Sequence, residues 1–341
     1  MPAFRNESPE KKGPRLLDRL RDAIMACHYS PRTIEAYVYW ARKFILFHGK
    51  RHPAQMGAAE VKAFLSYLAV SRRVAPSTQN QALGALLFLY RHVIGRDIPD
   101  LADLIRAKRR VRVPVVLSRA EIALILQHLR GLPYLATALM YGSGLRLLEC
   151  LQLRIQDIDF DRGEILVRQG KGRKDRRTML PAGLVGLLTS HVARLKEDHE
   201  LESLAGRGAV FLPDSVEHKH PAAATDWAWQ WVFPATRVHI PREGPSRRHH
   251  IHETAIQRAF ALALMRSGIT KRATCHTLRH SFATHLLEAS CDIRTIQELM
   301  GHHSVSTTMI YTHALTRGVQ GVQSPLDGEV IQFKPSQPFR K

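Results

Sequence analysis

Between residues 106 and 114 the chain runs Arg-Ala-Lys-Arg-Arg-Val-Arg-Val-Pro, and this run limits every fold open to it. Five positive charges in seven residues (Arg106, Lys108, Arg109, Arg110 and Arg112) cannot enter an apolar core without counter-charges, and the proline stops any helix that reaches it. The segment over 106–117 therefore reads as a basic linker between two units, each long enough to bury its own core. We expect a helical N-terminal domain over 1–105, a second domain over 118–318 and a tail over 319–341.

The excess of positive charge is not confined to the linker. The 341 residues carry 50 Lys and Arg against 30 Asp and Glu, a net charge of +20, and residues 1–117 alone hold 21 against 9. Solubility needs no such excess, whereas a polyanion with phosphates to neutralise would use it. A basic protein with no nucleic-acid role, its charge runs simply solvated, is the competing explanation. No stretch approaches the ~18 apolar residues of a membrane span. The N-terminus, MPAFRNESPEKKG, lacks the apolar core of a signal peptide. Cys27, Cys150, Cys275 and Cys291 lie far apart with no C-x-x-C pair, which favours reduced, structural thiols over a zinc ribbon or a disulfide framework. These features together predict a cytoplasmic protein, associated with the nucleoid and not with a membrane, without metal or cofactor.

Local patterns predict a mainly α chain with a small antiparallel β-sheet. Ser30-Pro31 is an N-cap followed by a proline at the first helical position, and Ile34, Tyr37, Val38, Ala41, Phe44 and Ile45 follow at helical spacing. Val61, Phe64, Leu65 and Leu68 form a second stripe, Pro76-Ser77 opens a third helix, and Pro99 is expected to start a fourth. Past the linker, Ser118 and Glu121 open an apolar helical stretch that continues to Tyr141. Residues 155–160 and 164–167 read as a hairpin turning at Asp161-Arg-Gly163, and 177–181 as a third strand. Helical patterns return over 255–265 and 278–287.

Four local patterns could carry chemistry. Gly142-Ser-Gly144-Leu-Arg146-Leu-Leu-Glu149 places an arginine after a glycine break, with a carboxylate three residues on to hold it, or simply a surface ion pair. Gly170-Lys171-Gly172-Arg173 is a basic turn between strands and not a P-loop, which would need a following helix. In His276-Thr-Leu-Arg279-His280, His276 and Arg279 share a helical face and suit a phosphate better than a metal. Met300-Gly301-His302 is followed nine residues after the histidine by Tyr311. Each pattern alone also has a structural explanation.

Taken in order, Arg146, Lys171, His276, Arg279, His302 and Tyr311 resemble the active site of the tyrosine recombinase (phage integrase) superfamily: G-x-R-x-x-E, the β-turn lysine, H-x-L-R-H, L-G-H and a final tyrosine. Met300 replaces the usual leucine. Residues 77–83 and 87–90 are similar to the superfamily's core-binding domain. The resemblance spans roughly residues 15–317. It implies an N-terminal four-helix, SAM-like core-binding domain and an α+β catalytic domain. The implied enzyme breaks and rejoins DNA through a 3′-phosphotyrosyl link on Tyr311, without metal or ATP, as a homo-tetramer on DNA. Arg146 and Arg279 would clamp the phosphate and Lys171 would act as general acid. His276 and His302 would complete the hydrogen bonds, His276 being the better acid–base candidate. The glycines and prolines after Gly318 argue against the long C-terminal helix by which such enzymes dock to neighbours.

The 105 positions from Lys171 to His276 exceed what a minimal catalytic domain needs. The added segment, about 200–253, resembles the insert of integron integrases, which recombine gene cassettes and bind folded single-stranded cassette sites as well as a duplex attachment site. Trp227, Trp229, Trp231 and Phe233 beside Pro241, His249 and His250 resemble a platform for unpaired bases. Within it Trp227, Trp229, Pro241, His249 and His250 are the expected DNA contacts, together with Arg173 and the five linker cations. Trp227, Trp231 and Phe233 could equally fill a core, and a zinc site at His249, His250 and His252 lacks a placed fourth ligand. Two alternatives stay open: a duplex-specific recombinase of the chromosome-dimer-resolution or phage type, and a non-catalytic DNA-binding protein of the same fold.

Overall fold

The computed structural model describes residues 15–98, 114–168, 175–240, 246–302 and 304–311. The expected helix at Pro99, the linker cations Arg106, Lys108, Arg109, Arg110 and Arg112, the turn holding Lys171 and Arg173, Pro241, and the tail lie outside the described residues. The chain forms two units, residues 1–112 and 113–341.

In the first unit, Ser30 accepts the Thr33 amide and starts α2 (Pro31–Phe47) with proline at its first position. Helix α2 packs among α1 (Leu16–Ala26), α3 (Ala58–Val70) and α4 (Pro76–Leu89). Their shared core is Leu20, Ile24, Phe44, Val61, Phe64, Leu86, Leu89 and Tyr90. The last turn of α4 widens into a π turn over Tyr90–Ile94, whose Tyr90 hydroxyl donates to the buried Pro53 carbonyl at 3.1 Å. Helix α1 is an addition to the sequence reading. Its cap residue Arg15 makes no side-chain cap, so no start signal marks it.

The second unit opens as expected, with a capping box between Ser118 and Glu121 at the head of α5 (Arg119–Gln127). Helix α6 (Gly131–Ser143) ends at Gly144 and α7 (Leu147–Leu151) follows. Three short antiparallel strands come next in the order β1 (Ile158–Asp159), β2 (Glu164–Val167), β3 (Arg176–Met179). Strand β1 is shorter than the sequence suggested. Asp157 accepts the Arg154 amide at 2.9 Å and turns residues 155–157 into a single 3-10 turn. After α8 (Ala182–Leu204), helices α10 (Glu253–Arg266), α11 (Cys275–Glu288), α12 (Ile293–Met300) and α13 (Val305–Met309) complete the unit. Helix α11 is buried along most of its length and packs on α6, which makes it the axis on which site residues can be fixed. Among the described residues no helix is long and apolar enough to cross a membrane, and no three His, Cys, Asp or Glu are grouped to hold a metal ion.

Between α8 and α10 the chain builds a satellite with its own small core of Val210, Leu212, Ala223, Ala224 and Trp231. It contains α9 (Asp214–Lys219) and the hairpin of β4 (Pro234–His239) and β5 (Arg247–His250). Arg154, 5% exposed, ties this satellite to the main body. Its guanidinium donates to the Trp229 carbonyl at 2.7 Å and the Phe211 carbonyl at 2.6 Å, and lies 3.0 Å from the centre of the Trp231 ring. Burial pulls its pKa down to about 9, with Asp157 opposing, so it remains a cation at neutral pH. Arg154→Met should unfold this unit about 3–5 kcal/mol more easily, because two part-buried carbonyls lose their charged donor. Arg154→Lys should recover little of that loss, since an ammonium cannot reproduce the planar fork. Urea unfolding of the full chain measures both.

Candidate active site

Gly144 adopts φ +63°, and a Cβ there would lie 2.5 Å from the Phe282 ring. Only glycine lets the chain leave α6 in this way. The turn makes Arg146 the N-cap of α7 and sets Glu149 one turn below it. The Glu149 carboxylate accepts the Arg146 amide at 2.9 Å and its guanidinium at 2.6 Å. From β3, Arg176 forks onto both carboxylate oxygens at 3.1 and 2.6 Å, while its Nε donates to the Leu299 carbonyl at 2.9 Å. From α11, Arg279 lies 3.8 Å from the same carboxylate and donates to the Gly144 and Met300 carbonyls.

One carboxylate thus faces three guanidiniums. Burial alone would raise the Glu149 pKa, but the Arg176 hydrogen bond and charge, with the Arg146 amide and charge, bring it down to about 2. Arg279 is 1% exposed, and burial followed by repulsion from Arg146 lowers it to about 9, leaving it cationic at neutral pH. The cluster holds a surplus of buried positive charge, which an oxyanion with two or more free oxygens would satisfy.

The imidazoles and the phenol stand beside it. His276 and His280 are one turn apart on α11 with ring centres 4.5 Å apart. The Tyr311 hydroxyl is 3.2 Å from Nδ1 of His280. His302, which follows Gly301 (φ +59°), stacks on Tyr311 at 6.1 Å between centres and bonds Thr308 Oγ1 through Nδ1 at 2.9 Å. Burial, then neighbouring cations, push His302 down to about 4; burial, then His276 and Arg279, do the same to His280. His276 is open to solvent, yet partial burial and then Arg279 and Arg146 also lower it. Tyr311 is 3% exposed in a pocket of Phe282, Ala283, Leu287, Ile296 and Met300. Burial raises its phenol, with Arg279 and Arg146 pulling the other way.

Five of the six residues singled out from the sequence, Arg146, His276, Arg279, His302 and Tyr311, therefore meet in one place. Lys171 lies outside the described residues. The expected base platform is altered in composition. Trp231 (7% exposed) and Phe233 (0%) are core residues. His250 is also 7% exposed, with its Nδ1 bonded to the Ile251 carbonyl at 2.8 Å and its Nε2 3.4 Å from Gln152, so both ring nitrogens are engaged inside the protein. His249 stays exposed, stacked on Trp231 with ring centres 5.9 Å apart. Trp227 and Trp229 are half-buried, the first against His199 and the second near Arg154 and Arg168.

Two residues of the site escaped the sequence reading. Arg176 was legible only through strand alternation: Thr178, two positions on, is buried against the Ser143 carbonyl on the same face. His280 sits inside a recognised motif, but nothing in the spacing marks it as the partner of a tyrosine 31 residues away. Glu149→Gln should destabilise this unit by about 3 kcal/mol at neutral pH, the free-energy equivalent of the depressed carboxyl. The native protein should lose stability in two acid windows, from 6.5 through about 4 as His280 and His302 protonate, and from 4.5 through about 2 as Glu149 does. In the Gln variant the lower window should shrink by the Glu149 contribution while the upper one stays, as read by urea unfolding at a series of pH values.

Comparison with known proteins adds an independent line. The family model "Phage integrase family" matches residues 116–317, and "Phage integrase, N-terminal SAM-like domain" matches residues 16–100. An integrase/recombinase of Escherichia coli is 51% identical over 321 residues, covering 94% of this chain and 95% of the relative. The tyrosine recombinase XerA of Thermococcus onnurineus is 32% identical, covering 86% and 89%. Among solved structures, a lambda integrase fragment bound as a dimer to a COC′ core site superposes with a TM-score of 0.60 at 18% identity, covering 89% of this chain and 96% of that one. XerH bound to its difH substrate gives 0.57 at 20% identity, covering 88% and 80%. At these identities the two structures establish the fold.

Proposed function

The chain belongs to the phage integrase family of tyrosine recombinases, enzymes that cleave and rejoin DNA, and from that premise we propose that it is an integron-type integrase whose nucleophile is Tyr311. The observation that carries the site assignment is the convergence of Arg146, Arg279, His276 and His302 on Tyr311 around the Glu149 counter-ion. Arg146 and Arg279 bind the non-bridging oxygens of the scissile phosphate and stabilise the charge of its five-coordinate transition state. Tyr311 Oη attacks phosphorus, the bond to the 5′ oxygen breaks, and Lys171 protonates that oxygen as it leaves. The 3′-phosphotyrosyl bond conserves the energy of the phosphodiester, so a 5′ hydroxyl from another strand can reverse the step without ATP.

The finer reading rests on the satellite between α8 and α10, a separately cored addition with an exposed His249 on its hairpin and the half-buried Trp227 and Trp229 elsewhere in the same segment. Such a surface suits bases projecting from a folded single strand, each stacked base contributing about 1–3 kcal/mol. Pro241, Arg173 and the cations over 106–112 are further contacts on this reading, and a homo-tetramer on DNA is the working assembly. The internal placement of Trp231, Phe233 and His250 favours a second reading, a recombinase of duplex sites, because it leaves fewer rings free to stack.

A denaturing-gel assay for a covalent protein–DNA adduct, run in EDTA on a folded cassette hairpin and on the same site as linear duplex, separates the two. An adduct on the hairpin, weak on the duplex and lost in Tyr311→Phe, is the expected result. An adduct mainly on duplex keeps the recombinase and removes the integron assignment. An adduct that persists in Tyr311→Phe would reject the nucleophile.

A further inference from the structure

A buried phenol needs a proton acceptor before it can attack a phosphate, and the three imidazoles near Tyr311 are not equally placed to be one. His302 presents a ring face to Tyr311 and has Nδ1 bonded to Thr308 Oγ1 at 2.9 Å. His276 is solvent-exposed and its ring packs edge-on against His280. Among the described residues only His280 holds a ring nitrogen in hydrogen-bond reach of the nucleophile, Nδ1 at 3.2 Å from Oη. Helix α11 fixes both ends of this contact. Its axis is buried, Arg279 is anchored to the Gly144 and Met300 carbonyls, and Phe282 forms part of the wall around Tyr311.

We propose that His280 is the proton acceptor for Tyr311 in the cleavage step, a role for which the sequence pattern favours His276. The proposal rests on the assignment of Tyr311 as nucleophile. In the step, the Oη–P bond forms and the phenol proton passes to Nδ1 of His280 while the bond from phosphorus to the 5′ oxygen breaks. That oxygen takes a proton from Lys171. On rejoining, the imidazolium returns its proton to the departing Tyr311. For this, His280 must be neutral with its own proton on Nε2, and in the free protein burial first, then the neighbouring His276 and Arg279, holds it neutral. The same surroundings make transfer unfavourable until a negative charge arrives. A phosphodiester seated on Arg146 and Arg279 offsets the field that disfavours an imidazolium, so the nucleophile is activated by the group it attacks. Water, by contrast, meets a tyrosine that is 3% exposed and a base that cannot hold the proton.

The experiment is single-turnover adduct formation on a nicked suicide oligonucleotide. The site is selected by the wild-type protein's own adduct formation from random-sequence duplex and hairpin pools. His280→Gln, which can hydrogen-bond but not accept a proton, should bind the oligonucleotide like wild type and form adduct about 100-fold more slowly. Free imidazole should accelerate His280→Ala about tenfold or more and leave Tyr311→Phe without adduct. A 5′-bridging phosphorothiolate, whose leaving sulfur needs no proton, should rescue Lys171→Ala and not His280→Gln. Cleavage by His280→Gln within about threefold of wild type would overturn the assignment, as would an imidazole-insensitive His280→Ala that binds DNA normally. Loss of DNA binding in both variants would also overturn it, by making His280 a folding residue. Adduct formation by Tyr311→Phe would instead reject the nucleophile and leave the base unassigned.

Discussion

A single carboxylate, Glu149, lets three guanidiniums share one small volume. At close range in a protein interior, like charges repel by several kcal/mol, and Arg146, Arg176 and Arg279 come from three different elements of the chain. Two of them also perform a structural task. Arg176 holds the end of α12 through the Leu299 carbonyl, and Arg279 joins the turn after α6 to the turn after α12 through Gly144 and Met300. Removing the carboxylate therefore loosens the turn that carries His302 as well as the α7 cap that aims Arg146. The two glycines serve the same geometry: a Cβ at Gly301 would lie 2.7 Å from Arg176 Cδ, as one at Gly144 would strike Phe282.

Burial and this cluster act together on the imidazoles and against each other on the phenol. Burial first, then the neighbouring cations, keeps His280 and His302 neutral down to about 4, while burial keeps Tyr311 protonated against the pull of Arg279 and Arg146. One anionic partner for three cations leaves the pocket short of negative charge. On the proposed mechanism a DNA phosphate supplies it, at the same moment stabilising an imidazolium and the developing charge on phosphorus. Selectivity for a phosphodiester over water then follows from charge rather than from a gate.

Much of this was legible in the sequence because catalysis imposes local spacing. Arg146 and Glu149 are one helical turn apart, as are His276 and Arg279, and the Ser30 and Ser118 caps mark their helices directly. What was not legible arises from long-range packing. The Trp231, Phe233 and His249-His250 run reads as an aromatic surface, yet its backbone joins the body through Val232 to the Leu153 carbonyl and His191 to the Val232 carbonyl, which turns Phe233 and His250 inward. No sequence pattern singles out Arg154, because its burial under Trp231 depends on a chain segment some 75 residues away. Helix α1 carried the right apolar spacing at Leu16, Leu20 and Ile24 but no capping side chain to announce it.

The most direct test of a pocket short of negative charge is to follow the His280 and His302 imidazoles by ¹⁵N NMR with and without a bound, uncleaved oligonucleotide, using Tyr311→Phe to prevent reaction. In the free protein both rings should stay neutral well below pH 6. With DNA bound, their titrations should move upward toward the ordinary imidazole range as phosphate offsets Arg146 and Arg279. Titrations that do not move on tight DNA binding would show that the phosphate does not enter the arginine cluster, and would contradict the charge-coupled activation of Tyr311.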